Sequence, residues 1–146
     1  MKIYLSLYVL AGLSLSVFAA SAQNQPPQTP QEQEKQLIEY IDKEVQRLSD
    51  LLKLEYWQEF YVDSTLTHDL RARMEEIQAL QKAKVENPDL YVAMSDKWME
   101  QIDRSYKRFF TEEQWNKYMK SGADRARRAR EKRKEKAAKA SGELKK

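Results

Sequence analysis

Apolar residues recur along most of this chain at the spacing of a helix and almost never at the spacing of a strand. Ile38, Ile41, Val45, Leu48 and Leu52 fall at steps of three and four, so one stripe of a helix starting near Glu34 is apolar. The seam spans less than three heptads, which predicts a helix packed on neighbours rather than a long coiled coil. A bend or short connection is expected at Lys53-Leu54. A second helix is expected from about Glu55 to Glu86, with Tyr56, Phe60, Leu66, Leu70, Met74, Ile77 and Leu80 as its apolar face. Asp63 and Thr67 interrupt that face. Asn87-Pro88-Asp89 ends it, because the residue before a proline avoids helical geometry while Asn caps and Pro opens the next helix. The third helix, about Pro88 to Arg108, carries Tyr91, Met94, Trp98, Ile102, Tyr106 and Phe109 on one side. Trp115, Tyr118 and Met119 mark a fourth, with Ser121-Gly122 as its end or weak point.

Past Gly122 the stripe vanishes. Ala123, Ala126 and Ala129 are too small to bury much, and Asp124 to Arg128 and Glu135 to Lys139 are favourable four-residue ion pairs. The expectation is a solvated helix that frays toward its end and adds nothing to the core. The fold class expected is therefore all-α: an extended helical hairpin of about four helices with a solvated basic C-terminal helix. The helical domain would span residues 35–122 and the basic tail residues 123–146.

The connection before the fourth helix is the densest local signal. In Phe109-Phe110-Thr111-Glu112-Glu113-Gln114-Trp115, the Thr111 hydroxyl can cap a helix and Gln114 stands three residues later, at the spacing of a capping box. Glu112 and Glu113 place negative charge on the positive end of the same helix. Leu54-Glu55-Tyr56-Trp57-Gln58 repeats the pattern 56 positions earlier, with Leu54 for Phe110, Glu55 for Thr111 and Gln58 for Gln114. Both copies are expected to be structural.

Upstream of the helices, residues 1–22 read as a secretory signal: Lys2, then an apolar run from Ile3 to Ala20, then Ala20-Ser21-Ala22 as a small-x-small cleavage site. The run is nearly long enough to span a bilayer, so an uncleaved anchor is the alternative. Residues 23–34, rich in Gln and Pro, read as a linker. Cleavage after Ala22 would place the protein in the periplasm or outside the cell.

Charge is unevenly spread. Residues 124–146 hold 11 basic and 4 acidic side chains, a net of +7, while residues 23–123 hold 14 and 19, a net of −5. The tail could meet anionic lipid, nucleic acid or acidic proteins by charge alone. It has no aromatic platform for bases and no apolar face for a membrane, so a solvated charge run is the plainer reading and no specific nucleic acid is expected. Membrane contact is expected only through the tail or an uncleaved signal.

Little chemistry is on offer. There are no cysteines, which removes thiolate metal sites and thiol nucleophiles. His68 is the single histidine, with Asp63 and Glu75 within reach along its helix, and one His is a poor start for a metal site. Glu75-Glu76 lies on a polar face and Glu112-Glu113 serves a helix start, so neither pair reads as an acid–base couple. No metal, cofactor or catalytic residue is expected, and a non-enzymatic role follows. The three tryptophans and the many Tyr and Phe residues exceed what thin helices bury. Some should therefore line an exposed apolar surface or a subunit interface.

The two motif copies resemble the repeated Leu-Thr-x-x-Gln motif of the Spy/CpxP family of small periplasmic helical proteins. Phe110-Thr111-Glu112-Glu113-Gln114 departs by Phe for Leu, and Leu54-Glu55-Tyr56-Trp57-Gln58 departs by Glu for Thr. The wider resemblance runs over roughly Lys35 to Lys120. It implies a thin, curved hairpin pairing into a cradle-shaped homodimer, with ATP-independent chaperone activity on unfolded proteins or an adaptor role in envelope-stress sensing. It carries over Leu54, Gln58, Phe110, Thr111 and Gln114 as hairpin-end residues. The zinc-binding branch is not carried over, because the ligands are missing here. Three functions are thus expected: a holdase, an adaptor or structural protein with one envelope partner, and an electrostatic binder acting through the tail.

Overall fold

The computed structural model of the protein describes residues 29–143, all-α throughout. The signal segment 1–22, its cleavage site and the first part of the linker lie outside the described residues. Helix α1 covers Pro30–Leu52, α2 Tyr56–Lys82, α3 Pro88–Phe109, α4 Glu112–Tyr118 and α5 Asp124–Glu143, with a π-type turn at Met119–Ala123 between the last two.

Helix α1 begins inside the stretch expected to be linker. Thr29 is its cap: the hydroxyl accepts from the Glu32 N–H at 3.3 Å, and the Glu32 carboxylate accepts from the Thr29 N–H at 2.8 Å. Pro30 occupies the first helical position, where a missing N–H costs nothing. A capping box was therefore hidden in a Gln/Pro-rich composition. The helix ends at Lys53, whose left-handed backbone (φ 53°, ψ 56°) turns the chain where a bend was expected. Asn87 caps α3 by accepting from the Asp89 N–H at 2.9 Å, with Pro88 again in first position.

The helices form an extended hairpin. α2 packs on both α1 and α3, α4 returns to α1, and α5 lies along α3. α1 runs against α2 so that Glu34 meets Arg71 and Gln33 meets Gln78 at 3.2 Å. The core gathers at the opposite end, from Ile41, Leu48 and Leu52 of α1, Val62, Leu66 and Leu70 of α2, and Ile102 and Tyr106 of α3, closed by Phe110 and Tyr118.

Two expectations are corrected. The apolar face drawn for α2 is off by part of a turn near its start: Tyr56 is 88% and Phe60 62% exposed. The buried stripe is Gln58, Val62, Leu66, Asp69 and Leu70. Two polar residues on that stripe disguised it, and the rings drew attention to the wrong side. The second correction concerns the tail. α5 does not stand apart from the body, because Arg130 is buried against Asp103. Arg125, Arg127 and Arg128 are exposed on the first turns of α5, and from Glu131 on the helix is exposed all round. Among the described residues no helix is long and apolar enough to cross a membrane.

Candidate functional site

The two motif copies meet across the hairpin end and clasp each other through their glutamines. Gln58 accepts the Glu55 N–H at 3.0 Å and donates to the Phe109 carbonyl at 2.9 Å. Gln114 accepts the Thr111 N–H at 2.9 Å and donates to the Leu52 carbonyl at 3.4 Å. The two amides also pair head to tail, at 2.7 and 3.0 Å. Each glutamine therefore starts its own helix and ends the other arm's preceding helix, α3 or α1. This quasi-twofold exchange satisfies backbone groups that helix termini leave bare. It explains why Gln recurs 56 residues apart.

The other motif residues support the clasp. Phe110 is buried and Leu54 half-buried against the core. Thr111 caps α4, its hydroxyl accepting from the Gln114 N–H at 3.2 Å. Thr111→Ala should cost about 1 kcal/mol, read as a drop in the thermal midpoint with the hairpin intact. In the first copy Glu55 stands at the cap position, and its carboxylate accepts from the Trp57 indole N–H at 2.5 Å. The copy with Glu for Thr thus still breaks the helix, because the reciprocal half of the box comes from Gln58.

Over the clasp lies a patch of aromatic rings. Tyr56, Trp57, Phe60 and Tyr61 are all exposed on the first two turns of α2. The rings are not loose. Trp57 and Phe60 each pack edge-on to Tyr61, with centroids at 6.1 and 5.8 Å, and Tyr61 packs on Phe109 at 5.7 Å. The chain of rings continues from Phe109 to Phe110 at 5.1 Å, to Tyr106 at 5.0 Å, and to Tyr118 at 5.5 Å. An exposed patch is thereby anchored ring by ring to the core.

At the inner end of this series sits an ion pair with both partners buried, the only such pair among the described residues. Tyr118 donates its hydroxyl to Asp103 Oδ1 at 2.7 Å, and Arg130 donates to Asp103 Oδ2. Burial raises the Asp103 carboxyl above the usual carboxylate range, opposed by the Tyr118 hydrogen bond and the Arg130 charge. Burial likewise pushes the Tyr118 and Tyr106 phenols far up, the Asp103 charge adding to both, so both stay protonated, Tyr118 donating to Asp103 and Tyr106 packed with its hydroxyl unpartnered.

His68 is exposed on α2, with Nδ1 2.8 Å from the buried Asp69 carboxylate. Asp63, His68 and Glu75 share an open surface along that helix. Among the described residues no three His, Asp or Glu side chains converge to hold a metal. Glu112 and Glu113 lie in the first turn of α4, and Glu113 pairs with Lys117 at 2.8 Å. Glu76 takes Lys97 at 2.8 Å and the Trp98 indole N–H at 2.9 Å, joining α2 to α3.

The aromatic patch and the buried ion pair were not assigned in the sequence. The first had a signal: four rings in Tyr56-Trp57-Gln58-Glu59-Phe60-Tyr61 span too much of a helix to face one core. For the second, Asp103 beside Ile102 on an apolar stripe was the hint, but its partner could not be read. Comparison with known proteins found no matching family model, no matching curated protein and no matching solved structure.

Proposed function

We propose that the protein is a non-enzymatic, ATP-independent holdase of the periplasm that takes non-native polypeptides on its aromatic patch. The carrying observation is the exposure of Tyr56, Trp57, Phe60 and Tyr61 on a helix start that the glutamine clasp holds in place. Exposed aromatic clusters of this kind mark interaction surfaces. Rigid rings with few rotatable bonds add contact area at low entropic cost. The motif pair adds support through its likeness to the Spy/CpxP family, and the secretory-type leader supports the location.

The test is suppression of aggregation of an unfolded protein without ATP. The purified protein should suppress it, and a Trp57→Ser, Phe60→Ser, Tyr61→Ser variant should keep its helicity while losing at least about tenfold in potency, since each anchor contributes about 1 kcal/mol or more. A variant as potent as the parent would overturn the assignment of the patch.

A second reading, an adaptor for one folded envelope partner, is favoured by the ring-by-ring anchoring of the patch, which presents one fixed shape. Recovery of a single stoichiometric partner, lost in the same variant, would select it. The electrostatic reading is narrowed by the fold. Arg130, Arg133 and Lys134 are engaged with the body; among the described residues Arg125, Lys132, Lys136 and Lys139 stay exposed for an anionic surface, with Arg127 and Arg128 exposed but paired to Asp124.

A further inference from the structure

The apolar logic that joins α1 to α4 stops at the corner before α5. Ala123 packs on the core, but the one buried side chain described in α5 is Arg130. The polar side-chain contacts of α5 with the body are ionic. Arg130 reaches Asp103, Arg133 reaches both oxygens of Asp96 at 2.7 Å, and Lys134 reaches Glu100 at 2.5 Å. The three acids follow each other along α3 at steps of four and three, so they form one ridge on one face. A docking surface made of charge is self-contained: any copy of the chain offers the same ridge to the same three cations.

The corner itself is open. Gly122 has φ 118°, in the region that favours glycine, and a Cβ placed there would meet nothing within 4 Å. The positive φ at Gly122 thus sets the corner, while Met119 and Ala123 on either side of it pack on the core. With helical φ at Gly122, α4 and α5 would run as one helix from Glu112 to Glu143 and carry α5 away from its own α3.

We infer that α5 is an exchangeable arm whose partner is a second copy of this chain. Two chains straighten at Gly122 and each lays Arg130, Arg133 and Lys134 on the Asp96–Glu100–Asp103 ridge of the other. Exchange keeps the ionic contacts and changes only the corner, the usual condition for a swapped dimer. The positive tail and negative body make the two chains attract. Within one chain the tether holds the arm at an effective concentration of about millimolar, so the closed single chain prevails when dilute and exchange grows with concentration. This pairing uses neither the cradle implied by the family resemblance nor the aromatic patch, and it stands apart from the holdase reading.

The test is Gly122→Ala. Alanine disfavours positive φ and favours helix, a change of about tenfold per chain and so about a hundredfold in the dimer constant. Light scattering across a concentration series should show the variant dimerising about a hundredfold lower than the parent. Gly122→Asn, also strained at φ 118° but a poorer helix former than alanine, should fall between the parent and Gly122→Ala. The arm is identified by thiols placed in this cysteine-free chain. In the Gly122→Ala background, a Glu100→Cys chain mixed with a Lys134→Cys chain and a short bismaleimide should give hetero-linked dimers well above either homo-linked form. Two results would sink the inference: a helical Gly122→Ala protein that stays monomeric through the series, or a dimer whose hetero-link is no commoner than its homo-links.

Discussion

Gln58→Ala is expected to lower stability by about 3 kcal/mol and the thermal midpoint by about 10–15 °C. Gln58 is only 2% exposed and uses its carbonyl and amide on both arms of the hairpin. Its loss leaves the Phe109 carbonyl, the Glu55 N–H and the Gln114 amide without their partner, and leaves a void where the buried side chain was. An unmet buried polar group costs more than a hydrogen bond contributes, because the desolvation remains while the partner is gone. Gln114→Ala should cost less, since Gln114 is only half-buried. The double change Gln58→Leu with Gln114→Leu should cost less than the two single leucine changes summed, as neither amide is then stranded. Thermal unfolding of the four proteins gives the coupling directly. Strict additivity, or a single-site loss under about 1 kcal/mol, would mean that the clasp is incidental to the fold.

Arg130→Met is expected to release α5 from α3 by about a hundredfold or more in the docking equilibrium. Leaving Asp103 buried without its cation would cost about 3–5 kcal/mol, and undocking the arm avoids that cost. Arg133 and Lys134 cannot hold the arm alone, because both are about half exposed or more and such pairs contribute at most about 1 kcal/mol each. Hydrogen exchange should show α5 losing protection while α1 to α3 keep theirs.

The effect carries a pH signature. Asp103 has a folded-state pKa above its unfolded value, so the folded state binds the proton more tightly. This group therefore adds stability as pH falls through the raised pKa and withholds it above. Removing Arg130 removes one of the influences holding that pKa down. The Met variant should therefore regain part of its lost docking between pH 7 and the acid range, by more than the parent gains. Equal pH responses in the two proteins would overturn this account of the pair.

The local chemistry of this chain was readable because it is local. Thr111 with Gln114 and Asn87 with Pro88 each act within one helical turn, so spacing alone located two connections, while the repeating seam of α1, whose first member Ile38 is exposed, pointed to the all-α class. Even Gly122 was legible as a weak point, though the chain turns there and resumes as helix. The capping box at Thr29 and Glu32 is equally local, but it stands in a Gln/Pro-rich stretch whose composition is that of a linker. The rotation of α2 is not legible for another reason. A helix has one buried stripe, and ring size favours Tyr56 and Phe60 inward, whereas the pairing of Gln58 with Gln114 requires the opposite rotation.

What the sequence by itself determined is the set of helices, their order and most of their caps, since these depend on backbone hydrogen bonds among near neighbours. Tertiary structure alone decided which polar groups are internal. Gln58 and Gln114 stand 56 residues apart, and Asp103 and Arg130 stand 27 apart. Each of these residues has an unremarkable surface role until folding removes its water and leaves the other as its partner. The same step turned the Tyr56–Tyr61 rings outward and drew the basic arm onto the acidic ridge of α3, because burial of a polar group is tolerable only where its complement arrives with it.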